Sequence, residues 1–109
     1  MLGTITSLLV LHFVFDFILQ TNWMASNKSR SIKALTVHIS VYTLGFVVFG
    51  WEFALLNGLL HWITDFISSK LSFKAWHNEK RHLFFVILGA DQLVHTLCLL
   101  YTAQLLGVL

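Results

Sequence analysis

The chain contains no proline and a single cysteine, and only 11% of its 109 residues are charged. Without proline, no position is obliged to break or kink a helix. Cys98, alone in an apolar run, cannot close an intramolecular disulfide, so it reveals nothing of redox compartment and reads as a small buried hydrophobe. No Lys or Arg precedes Lys28, so the N-terminus lacks the basic segment that opens a secretory signal, and His12 and Asp16 interrupt its apolar run. A first spanning helix is expected there instead. A glycine-rich phosphate loop, a nucleophile elbow and a CxxC pair are all missing. Nothing points to a nucleic-acid partner.

Apolar residues are abundant: 57% of the chain is hydrophobic and the mean hydropathy is +0.77. That is a membrane composition. Four apolar segments, about 2–19, 34–50, 53–68 and 83–106, each approach the roughly 17 to 25 residues that a spanning helix needs. They predict one all-α domain over 1–109, an integral membrane four-helix bundle. Lys28, Arg30 and Lys33 fall between the first two segments, and Lys70, Lys74, Lys80 and Arg81 between the last two. The positive-inside bias then places loops 20–33 and 69–82 in the cytoplasm and both termini outside, in a multi-pass protein of the inner (cytoplasmic) membrane. Trp23, Trp51 and Trp76 fall at the predicted helix ends, where amphipathic rings prefer to lie.

Against this background the ionisable residues inside the segments stand out. His12 and Asp16 are four apart, as are His61 and Asp65, and Asp91 and His95 repeat the spacing in reverse order; the second segment carries His38 alone. On a helix, residues four apart share a face. An Asp at mid-membrane costs on the order of 2.5 to 3.5 kcal/mol, against about 0.3 to 0.6 returned by each Leu, Ile or Phe, so three carboxylates need compensation inside the bundle. The four histidines, water or a divalent cation could supply it. Imidazole nitrogen and carboxylate oxygen suit zinc, manganese or iron, and His12, Asp16, His38, His61, Asp65, Asp91 and His95 are enough for one ion, or for two with a bridging carboxylate. A metal-free His/Asp relay is the competing reading. Gln20 and Gln92 are the expected outer partners of the ligands. Lys28, Arg30, Lys70, Lys74 and Arg81 serve as topology determinants or as a rim for anionic head groups. His77, Glu79 and His82 read as solvated loop residues. The likeness of the first and third segments suggests a tandem repeat of two helical hairpins about an axis along the membrane normal.

The run from His12 to Ala25, His38 with Tyr42 and Thr43, His61 to Asp65, and Arg81 to Phe85 followed by Asp91 to His95 resembles domain-of-unknown-function family 3307 over nearly the whole chain. The resemblance implies a small bacterial or phage membrane protein of four helices, and it supplies no activity. In residue type, though not in an aligned motif, the bundle is also similar to bacterial membrane-bound metal-dependent hydrolases. The expected function is therefore a metal-dependent hydrolase acting on a lipid or lipid-linked phosphate or ester. One alternative is a transport path for divalent cations or protons, against which the few polar residues of 4–11 and 97–109 weigh unless a homo-oligomer forms the path. The other is a non-catalytic membrane adaptor.

Overall fold

The computed structural model describes residues 1–109 as five α-helices without a strand. Helix α1 (Leu2–Phe13) runs into a π-helical turn at Val14–Ile18; α2 (Asn22–Asn27) is short; α3 (Ile32–Gly45) ends in a 3-10 turn at Val47–Phe49; α4 (Trp51–His77) and α5 (Arg81–Leu105) are long.

Two of these boundaries correct the sequence expectation. The stretch 20–33 is not a simple loop, because the Thr21 hydroxyl accepts from the Met24 N–H and the Ser31 hydroxyl from that of Ala34, both at 3.2 Å. Each satisfies an N–H that the first helical turn would leave bare, and so starts a helix. The stretch 69–82 is mostly the end of α4, which continues past Ser68 to His77 because no Gly or Pro stands in its way. Asn78 and Glu79, the latter at φ 59°, end it. Lys70 donates to the Ser29 carbonyl at 3.1 Å and Arg30 lies over the Phe73 ring, so the extension of α4 is clamped to the α2–α3 connection.

The first helix is also not uniform, although it has no proline. The Leu19 N–H bonds the Val14 carbonyl at 2.9 Å, five residues back. This wider turn carries Asp16, which it buries among the other helices; such single turns recur at functional sites.

Packing leaves an apolar plug at one end and polar groups in the middle. Leu8, Tyr42, Phe46, Phe53, Ala54, Leu99 and Ala103 form the plug, at the end away from the basic residues. Close helix contact depends on two glycines: a Cβ on Gly58 would overlap the Thr43 hydroxyl, and one on Gly45 would overlap the Phe15 ring. Only 23 residues are buried, and ten of those are polar or ionisable. The surface, in contrast, carries apolar stripes such as Leu55, Leu59, Ile63, Ile67 and Leu71 at four-residue spacing along α4. Helix α5 alone is long and apolar enough to cross a membrane by length and composition, with 17% of its apolar 18-residue window buried; Leu2–Ile18 is apolar but shorter.

Candidate metal centre

Four helical stretches deliver the ionisable residues to one place. The π-turn supplies Asp16, α3 His38, α4 His61 and Asp65, and α5 Asp91 and His95, all buried. His38 Nε2 stands 3.0 Å from Asp16 Oδ1 and 3.4 Å from Asp65 Oδ2. His61 Nε2 stands 3.2 Å from each of the same two oxygens. An ion with tetrahedral bonds of about 2.0 to 2.2 Å has ligand atoms about 3.3 to 3.6 Å apart. The four His–Asp distances, 3.0 to 3.4 Å, are thus within tenths of an ångström of that spacing.

Asp16, Asp91 and His95 form a second set, and in each set the ligand atoms lie within 4.8 Å of one another. Asp16 belongs to both. His95 Nε2 ties the sets together, 3.0 Å from Asp65 Oδ1 and 3.1 Å from Asp91 Oδ2. The His61 and His95 rings stack at 3.7 Å between centroids. These buried His and Asp groups are positioned to hold a metal ion.

His12 stands beside the cluster and outside both sets. Gln92 Oε1, an acceptor only, lies 2.8 Å from His12 Nε2, so that nitrogen carries the proton. The Tyr42 hydroxyl lies 3.0 Å from Nδ1, so both ring nitrogens are engaged by neighbouring side chains. Gln92 meanwhile donates to Asp16 Oδ2 at 3.1 Å and to Asp91 Oδ2 at 3.0 Å. One amide therefore orients His12 and two carboxylates. Because removal of such an outer partner costs about 10- to 100-fold in metal affinity, Gln92→Leu should weaken zinc binding by that order with the helical circular dichroism unchanged. Equilibrium dialysis against a metal buffer checks it.

Gln20 makes no hydrogen bond to the cluster. Its Oε1 is buried without a partner, as are Ser69 Oγ and the Nδ1 atoms of His38 and His61. Gln20 and Ser69 border a cavity of about 190 Å³ that reaches Asp91. Of the basic residues, Arg30, Lys70, Lys74 and Arg81 remain exposed. Lys28 does not: it turns inward and its ammonium donates to Asp65 Oδ2 at 3.4 Å, an interaction its place in a basic stretch gave no reason to expect. Ser68, likewise not singled out, donates to Asp91 Oδ1 at 2.5 Å. Tyr42 had a legible signal, one helical turn beyond His38 on the same face.

With the histidines neutral, as metal ligands are, three carboxylates against one ammonium leave two negative charges in the cluster, the complement of one divalent ion. Buried charge of this kind is paired or ligates metal.

No curated protein and no solved structure matches the chain. The family model described as "Protein of unknown function (DUF3307)" matches residues 4–109, and the chain belongs to that family.

Proposed function

We propose that this protein is a membrane-embedded, metal-dependent hydrolase acting on a phosphate or ester bond of a lipid or lipid-linked substrate. The observation that carries this reading is the closure of Asp16, His38, His61 and Asp65 onto one point inside a bundle whose outside is apolar. Buried polar residues and exposed Leu and Ile stripes are the arrangement expected where lipid, not water, surrounds the helices. The long dimension of 43 Å matches the roughly 40 to 45 Å of a bilayer with its head groups. The apolar plug weighs against a through-path for ions.

A divalent ion in the cluster would lower the pKa of a bound water and polarise the bond under attack. The chain's own groups supply the rest. Asp91 is the most exposed of the three carboxylates, at 7%, and borders the cavity, so it is the group placed to take a proton from water. Ser68 and Gln92 hold its oxygens in place. Lys28 stands on the same cavity, ready to face the negative charge that grows on a phosphoryl or acyl oxygen.

The experiment is hydrolysis by detergent-purified protein supplied in turn with zinc, manganese and iron. Release of phosphate or fatty acid from lipid phosphates or esters, abolished by chelation and restored by one of the ions, is expected. Metal-loaded protein that releases neither overturns the hydrolase reading.

A further inference from the structure

Two cavities meet at the cluster, and they differ in chemistry. One is the polar space of about 190 Å³, where Gln20, Lys28, Ser69 and Ser72 contribute its polar wall. The other is an open groove of about 300 Å³ between α4 and α5, walled by Ile63, Ile67, Leu71, Ile87 and Val94. Ser68, Ile87 and Asp91 border both, so the two spaces adjoin at a carboxylate of the candidate metal centre.

Ser69 is 6% exposed and its hydroxyl has no partner, and the Gln20 carbonyl oxygen is equally unsatisfied. A buried polar atom left without a hydrogen bond costs about 1 to 3 kcal/mol, so these atoms mark a place where another molecule's polar groups belong. With a divalent ion balancing the carboxylates, the ammonium of Lys28 sets the sign. The polar space continues past Ser69 and Ser72 into a larger one of about 450 Å³ that also includes Arg30, so both cations on its walls favour an anion. The groove has no cation, and its only carboxylate is Asp91 at the junction.

Resting on the hydrolase reading for the chemistry at the junction, we infer that the substrate is an amphiphilic phosphate monoester, its phosphate in the Lys28–Ser69 cavity and its hydrocarbon chain along the α4–α5 groove. The scissile ester oxygen then falls between the two, beside Asp91. Hydrolysis there breaks the bond from phosphorus to the ester oxygen and forms one from phosphorus to the water oxygen. One water proton goes to Asp91 and on to the departing alcohol, leaving inorganic phosphate and a long-chain alcohol. The charged product is left in the polar space and the apolar one in the groove.

The test measures binding of dodecyl phosphate, inorganic phosphate and dodecanol to the purified protein in one neutral detergent, by isothermal titration calorimetry. All affinities are referred to the free ligand concentration, with the partition of each ligand measured in protein-free micelles of the same detergent. Dodecyl phosphate is expected to bind at least about tenfold tighter than inorganic phosphate, the gain from burying two or more methylenes. Ala90→Phe, at an exposed position on the groove, should remove that gain and leave inorganic phosphate unaffected. Lys28→Gln with Ser69→Ala should weaken both phosphates and spare dodecanol. Equal affinity for the two phosphates, or an Ala90→Phe variant that retains the chain preference, overturns the inference, with helical circular dichroism verifying that each variant is folded. Metal content of the same samples separates the two proposals. Metal-loaded protein that ignores dodecyl phosphate defeats the substrate assignment alone, whereas selective binding by unaltered protein that takes up none of the ions defeats the hydrolase reading alone.

Discussion

Asp65→Asn is expected to leave the purified protein without stoichiometric metal. Asp65 is the point at which the cluster is joined: Oδ2 faces His38 and His61, Oδ1 faces His95, and Lys28 approaches from the basic end. An amide keeps the shape of the side chain and removes its charge, so a neutral group replaces an anionic ligand where the other anions are Asp16 and Asp91. The loss should exceed the roughly 100-fold limit for removing an outer partner. Elemental analysis after dialysis against a metal buffer measures it. Loss of metal is expected with the helical signal intact, because the substitution takes one negative charge out of a buried set of three. Retention of a full equivalent of metal in Asp65→Asn would show that the ion lies elsewhere.

Removing the metal itself should have the second large effect, on stability. A ligand that binds only the folded chain stabilises it by about 2.7 kcal/mol at 100 times its dissociation constant and about 4.1 at 1,000 times. Chelation is therefore expected to lower the thermal midpoint in detergent, and readdition of the ion to restore it. The sign for Lys28→Gln follows from the same cluster. Without metal, the Lys28 ammonium is the one lysine or arginine charge that reaches Asp65, so its loss is expected to destabilise the chelated protein most. With metal bound, the ion supplies the positive charge and the same substitution costs less. The gap in thermal midpoint between loaded and chelated protein should thus widen in Lys28→Gln. A gap that narrows would mean that the ammonium supports the ion instead of competing with it for Asp65.

Much of the centre could be read along the chain because buried charge is rare and spacing reports a shared face. The His61/Asp65 and Asp91/His95 pairs lie on regular helices, where four residues return to the same side, and both pairs are close in space, at 3.2 and 3.1 Å. The first pair is less regular. His12 and Asp16 are four apart, yet the π-turn shifts the face after Val14, and the pair separates to 3.7 Å while Asp16 turns toward His38 and His61. No residue in Val14–Ile18 announces that turn. Gln92 was legible as an outer partner from its place beside Asp91, whereas Gln20, with the same side chain, points to the cavity.

The sequence by itself determined an all-α chain, three ionisable pairs and a concentration of basic residues toward one end. Those follow from composition and from the period of a helix, which are local properties. Only the tertiary structure decided that His12 is a hydrogen-bonded neighbour, that Lys28 folds inward to Asp65, and that Asp16 is shared between two possible ion sites. Each depends on which lone pair or ammonium meets which oxygen across helices up to 80 positions apart, as for His12 and Gln92. Packing at Gly45 and Gly58 brings α3 close to the π-turn and to α4, and no pattern within a single helix encodes such contacts.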